Sequence, residues 1–264
     1  MPLTSAGSEI DAVLFDLDDV LVPLHTKAAW QWAWHPQGPP LGERRVQAAL
    51  RRSLKNWDRR RWQGLTGKLP PADLSTLDEH LTATLRAIAG RTLPPEEETA
   101  VVRRFLHSAG EIERFPDTAP ALERLKSRGV RCGVVTPLPT ESARWILKRA
   151  MLAEVPLVGS GTPESHTVPD RGAFRAAVEA LGSTPAKTAY LGDLFWSDVR
   201  AAHRAGLSAY LLDRADAFPN VATGRMRSLA EIESTIERGP GPPPVEEAGD
   251  AEASGPPTSE KERI

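Results

Sequence analysis

Short apolar runs and amphipathic stretches alternate along most of this chain, with one long interruption near its start. Runs at Ala12–Phe15, Val130–Val135, Val155–Gly159, Thr188–Leu191 and Ala209–Leu212 have the length and the β-branched or aromatic content of buried strands. Between the later runs, Ala119–Arg128, Glu141–Leu152, Gly172–Leu181 and Asp198–Ala205 place apolar residues at helical spacing, and the last of these stops at Gly206, a common helix-ending residue. Strand–helix alternation of this kind predicts an α/β fold built on a doubly wound parallel sheet. More than a hundred residues separate the first run from the second. A crossover needs only about a dozen, so the interruption is an insertion.

The insertion reads as helical throughout. Val46, Leu50, Leu54 and Trp57 form one stripe, and Leu74, Leu77, Leu81, Leu85 and Ile88 a second. Val101, Phe105 and Ile112 form a third, after the acidic start Glu96–Glu98 that favours a helix N-terminus. Proline pairs at Pro39-Pro40, Pro70-Pro71 and Pro94-Pro95 divide the pieces. The expected organisation is a core domain of residues 1–23 and 115–237, a helical bundle of residues 24–114, and a tail of residues 238–264. The tail is rich in Pro, Gly, Ala and Glu and nearly devoid of large apolar residues, which predicts disorder.

The polar positions that break this pattern are acidic, and they fall where strands end. Asp16, Asp18 and Asp19 close the first apolar run, in IDAVLFDLDDVLV. Asp193 closes the run TAYLGD, and Asp198 follows one loop later. Ligands of open α/β sheets bind outside the carboxyl ends of the strands. Asp16 and Asp18, two apart in an extended stretch, point to one side. Carboxylates held close at neutral pH repel unless one is protonated or a cation lies between them. Mg²⁺ suits such a cluster, because it takes oxygen ligands and keeps positions open for a phosphate.

With these residues in view, the chain resembles the haloacid dehalogenase-like (HAD) hydrolase superfamily, most of whose members are Mg²⁺-dependent phosphatases. The matching text is DLDDVLV from Asp16, Thr136 at the expected end of VRCGVVT, and GDLFWSDVRAAHRAGL from Gly192, with FPDTAPALERLKSRGVRCGVVT from Phe115 as the approach to the second motif. The likeness runs from about Asp11 to about Ile232. It implies a Rossmann-like core with the helical insertion acting as a cap that helps select the substrate. It also implies that Asp16 attacks phosphorus to form an aspartyl-phosphate, that Asp18 serves as acid and base, and that Thr136 hydrogen-bonds the phosphate. Mg²⁺ would be held by Asp16, Asp193, Asp198 and Asp18, the last through its backbone carbonyl. Dehalogenases of the superfamily generally lack the second carboxylate, so Asp18 points to phosphoryl chemistry.

Two positions depart from the family pattern. The family's lysine is usually followed by proline, with phenylalanine five residues later. Here the text is VPDRGAF, with Val168 in the lysine's place. A cation about 4 Å from a phosphoryl oxygen is worth on the order of 4 kcal/mol at intermediate dielectric, roughly three decades in rate. Pro137, after Thr136, also removes a backbone donor that family members commonly use for the phosphate. Arg171 is the candidate replacement for the lysine, with His166 a weaker one, although both also read as surface loop residues. The expected function is therefore a phosphomonoesterase acting on a small phosphorylated metabolite. The alternative is a catalytically weakened HAD-fold protein kept as a ligand-binding or interaction module.

Composition narrows the setting. Lys and Arg number 33 against 35 Asp and Glu, so nothing in a net charge of −2 points to nucleic acid or a membrane surface as partner. Cys132 is the single cysteine, which rules out an internal disulfide and reads as a core residue. The start MPLTSAGSE lacks a secretory pattern, and no apolar run approaches bilayer-spanning length, so a cytoplasmic location is expected. Oligomeric state is not legible. Trp30, Trp32 and Trp34 fit either a pocket wall for an apolar substrate or, as expected, packing between insertion and core. Trp196 lies in the loop beside the candidate cation site. Arg59–Arg61 read as a solvated helix face, with the alternative that one of them meets an anionic substrate when the cap closes.

Overall fold

The computed structural model describes residues 2–24, 26–107, 113–161, 171–221 and 224–240. An antiparallel hairpin, β1 (Leu3–Ser5) and β2 (Ser8–Ile10), precedes the first core strand, β3 (Ala12–Phe15). Four helices follow: α1 (Lys27–Trp34), α2 (Glu43–Leu65), α3 (Leu74–Ala89) and α4 (Pro95–His107). The chain then alternates through α5 (Thr118–Ser127), β4 (Arg131–Pro139), α6 (Thr140–Arg149), β5 (Leu157–Gly161), α7 (Arg171–Ala180), β6 (Thr188–Gly192), α8 (Ala201–Arg204), β7 (Ser208–Leu212), β8 (Arg225–Met226) and α9 (Ile232–Arg238).

The six core strands are parallel, in the order β5-β4-β3-β6-β7-β8. Strand order therefore reverses beside β3, whose neighbours are β4 on one side and β6 on the other. That reversal is the switch point at which doubly wound sheets bind ligands. Alternation along β3 sends Val13 and Phe15 to one face and Ala12 and Leu14 to the other. Ala121 and Leu125 of α5, Ile146 and Leu147 of α6, and Ile232 and Ile236 of α9 cover the first face, while Phe174 and Val178 of α7 cover the second. The doubly wound α/β reading holds.

The insertion has a hydrophobic cluster of its own. Trp30, Trp34, Val46, Leu81, Leu85, Val101 and Phe105 are buried together there. α1 is helical, so Trp30 and Trp34 share a face. Trp30 stacks on Phe105 with ring centroids 4.0 Å apart, and Trp34 donates its Nε1–H to the Pro39 carbonyl. Trp32 points away and is 49 % exposed. Trp30 and Trp34 thus build the insertion's interior instead of the expected packing against the sheet domain, and Trp30 also lines the cavity that holds Asp16 and Asp18.

Other departures are local. β4 runs on to Pro139, so Thr136 lies inside the strand and not at its end. The two prolines are accommodated because pairing with β5 shifts register between Thr136 and Pro139. The stretch after Asp193 is not a plain helix. Phe195–Arg200 is wound as a π-type turn that leads into the short α8. Cys132 packs against the first core cluster, and burial pushes its thiol up to about 12, well out of nucleophilic range. Ile112, His166, Val168 and the tail from 241 onward lie outside the described residues.

Candidate active site

β3 and β6 are adjacent, and each delivers an aspartate at its carboxyl end. Phe15 pairs with Leu191, and the Asp16 N–H continues the ladder by donating to the Leu191 carbonyl at 2.8 Å. After Asp16 the chain turns tightly. The Leu21 and Val22 amides donate back to the Leu17 carbonyl, and Asp19 takes a left-handed φ of 52°, a region that aspartate tolerates better than most residues. This turn leaves Asp18 facing the same cavity as Asp16.

Asp198 is brought back to the strand end by the π-type turn. Its Oδ2 accepts from the Leu194 amide at 3.2 Å, and its Oδ1 accepts from the Ser197 hydroxyl at 3.4 Å. Gly192 makes this approach possible, since a Cβ there would lie 2.5 Å from the Asp198 Cβ. Ligand oxygens of Asp16, Asp193 and Asp198 consequently gather within 4.8 Å of one another. The side chain of Asp18 is not part of this trio. Asp16 and Asp198 are almost fully buried, and Asp193 is partly so.

The electrostatics follow from that crowding. Loss of water, then the charges of Asp198 and Asp18, raise the Asp16 carboxyl well above the ordinary range. Loss of water also leads for Asp193 and Asp198, both raised. Three hard oxygen donors that repel one another without a cation fit a divalent ion such as Mg²⁺.

Thr136 is fully buried two strands away from Asp193, on β4. Its Oγ1 accepts from the Leu138 amide at 3.3 Å. With Pro137 lacking an N–H, the next backbone donor of that segment is turned toward Thr136 itself. Arg171 opens α7, and its side chain lies outside the described residues.

Sequence reasoning left open which arginine of the insertion, if any, faces the site, and did not single out Asp58. Of the three arginines read as a solvated face, Arg61 is buried, with 6 % exposure. It lines a cavity of about 340 Å³ that it shares with Asp16, Asp18 and Asp193, and its Nη1 lies 3.9 Å from Asp198 Oδ1. One turn earlier on α2, the fully buried Asp58 accepts from the Trp196 amide at 2.9 Å and the Ser197 amide at 2.7 Å. Burial outweighs these bonds and lifts the Asp58 carboxyl to about 7. Next to Arg61, the ring of Trp62 carries the guanidinium of Arg200 at 4.9 Å and that of Arg204 at 4.8 Å. Trp196 lies against Trp62 and the Arg200 guanidinium, so it belongs to the seam between α2 and the π-type turn.

The doubly wound sheet is the one that the strand–helix alternation predicts, and carboxylates converge at its switch point. The haloacid dehalogenase-like hydrolase family model matches residues 10–206. The chain belongs to that family. Its similarity to Phosphatase MT3486 of Mycobacterium tuberculosis is 30% identity over 236 residues, covering 88% of this chain and 99% of the relative. A phosphoglycolate phosphatase of Shigella dysenteriae is 27% identical, covering 75% of this chain and 79% of its own length. Among solved structures, a HAD family hydrolase from Deinococcus radiodurans with bound phosphate and sodium superposes with a TM-score of 0.58. It is 20% identical and covers 86% of this chain and 95% of its own. This HAD family member is a hydrolase, and its relatives support phosphatase chemistry.

Proposed function

We propose that the protein is a Mg²⁺-dependent phosphomonoesterase for a small phosphorylated metabolite, with Asp16 as nucleophile and Asp18 as acid and base. The observation that carries this reading is the convergence of Asp16, Asp193 and Asp198 at the ends of β3 and β6, with Asp18 on the wall of the same cavity. Asp16, Asp193 and Asp198 would hold the ion, with the Asp18 backbone carbonyl as a further donor. Bound there, Mg²⁺ offsets charge on the phosphoryl oxygens.

The chain's own groups then divide the reaction into two displacements. An Asp16 oxygen attacks phosphorus in line, the bond to the leaving oxygen breaks, and Asp18 protonates that oxygen. Asp18, now a carboxylate, takes a proton from water, whose oxygen attacks phosphorus and releases Asp16 and inorganic phosphate. Both aspartates line the cavity beneath α2 and α3, which supports residues 24–114 as a cap over a core of residues 1–23 and 115–237. Thr136 is assigned a phosphate hydrogen bond, and Arg171, where α7 begins, a secondary phosphate contact.

The relative named for phosphoglycolate favours a small substrate. A panel of phosphomonoesters assayed with Mg²⁺ and with EDTA tests the reading. Turnover that needs Mg²⁺ supports it. A wild type that binds ligands but turns over no member of the panel favours the binding-module alternative.

A further inference from the structure

The acidic cluster lies in the sheet domain, yet among the described residues the guanidinium that lines the cavity of Asp16 and Asp18 is that of Arg61, from the helical insertion. Arg61 is buried, but it is not consumed by the protein. Its nearest carboxylate contact, Asp198 at 3.9 Å, is too long for a hydrogen bond, and its Nε and Nη2 have no hydrogen-bond partner among the described residues. Burying an arginine with two donors unfilled is costly, and the cost is recovered only when an acceptor arrives. The guanidinium fork matches two oxygens of a phosphate. The neighbours of Arg61 on α2 hold it in this pose. Asp58 ties the helix to the amides of the π-type turn, and Trp62 is clamped against Arg200 and Arg204.

We propose that Arg61 is the phosphate-binding cation of this site, supplied by the insertion, so that the phosphate cradle is complete only while α2 is docked on the Phe195–Arg200 turn. Its ligand is the phosphoryl group of a monoester or free inorganic phosphate. The proposal rests on the phosphatase reading and accounts for how that site works with Val168 where the family carries a lysine.

The test is calorimetric titration of the full chain with inorganic phosphate in saturating Mg²⁺, and separately with Mg²⁺ alone, for wild type, Arg61→Met and Arg61→Lys. Each hydrogen bond to a charged group is worth about 1.5–3 kcal/mol, so Arg61→Met should weaken phosphate binding by about tenfold to a hundredfold or more. Arg61→Lys, which keeps the charge but loses the fork, should fall between. Mg²⁺ affinity should hold or improve, because a like charge has been removed. Methionine in place of an unfilled buried charge should not unfold the protein, and Arg61→Lys covers the case in which it does. Phosphate affinity within about twofold of wild type in both variants, with only Mg²⁺ affinity changed, would make Arg61 a mere counter-ion of Asp198 and overturn the proposal. Turnover by wild type on the phosphomonoester panel is scored independently. An inert wild type whose phosphate binding still depends on Arg61 would sink the phosphatase reading and leave this assignment standing.

Discussion

The sheet domain and the helical insertion contribute opposite charges to one cavity, and they do so by different structural logic. In the sheet domain, Asp16 and Asp193 are placed by the backbone itself. They follow paired strands, and the parallel ladder fixes them side by side at the switch point. In the insertion, Arg61 is placed by packing. Its position depends on Asp58 and Trp62 holding α2 against the π-type turn. The acidic half is therefore built into the fold, while the basic half depends on a docked helix. The lesson is that carboxylates can be fixed by a strand-end motif while the cation facing them comes from a packed helix.

This contrast can be broken most severely on the acidic side. Asp18→Asn should cost about two to four decades in turnover, the usual worth of a positioned general acid. The loss should be larger for an alkyl phosphate than for nitrophenyl phosphate, whose leaving group needs no proton. Initial rates on the two substrates check this, and equal losses would remove Asp18 from the acid role.

A smaller effect is expected at Gly192, where the strand end meets Asp198. Alanine would put its Cβ 2.5 Å from the Asp198 Cβ and force that carboxylate outward. We expect Mg²⁺ affinity to fall by about tenfold to a hundredfold, the range seen when groups that orient a ligand are changed. Calorimetric titration with Mg²⁺ reads the shift.

The smallest effect sharpens the electrostatic side of the comparison. The carboxyls of Asp16, Asp193 and Asp198 are raised, and that of Asp58 lies at about 7. Above about pH 4, where unfolded aspartates have lost their protons, the folded metal-free protein still holds some of them. Its stability should therefore fall as pH rises from about 4 to about 7. Mg²⁺ would bind the ionised form of the acidic trio, so the rise in Tm that it produces should be larger near pH 8 than near pH 5. Thermal melts at the two values, with Mg²⁺ and with EDTA, measure this.

The same contrast explains what the sequence disclosed. Asp16 and Asp193 close apolar runs, and Asp18 and Asp198 follow them within a few residues, so all four were legible beside the strands they follow. Asp58 and Arg61 sit in LKNWDRRRW, where three consecutive arginines read as solvent-facing. The signal was present all the same. The stripe Leu50, Leu54, Trp57 continues at helical spacing to Arg61 and not to Arg59 or Arg60. β4 runs beyond the expected Val130–Val135 because a register shift against β5 accommodates Pro137 and Pro139, and sequence alone does not reveal such a shift. The hairpin of β1 and β2, and the two-residue β8, are too short to show a period.

The account stands most directly on Asp16. Initial rates of phosphomonoester hydrolysis, with Mg²⁺ and with EDTA, should be compared for wild type and Asp16→Asn. The account predicts Mg²⁺-dependent turnover by the wild type and a loss of at least about three decades in the variant, whose neutral amide oxygen is a poor nucleophile. An Asp16→Asn protein as active as the wild type would contradict it.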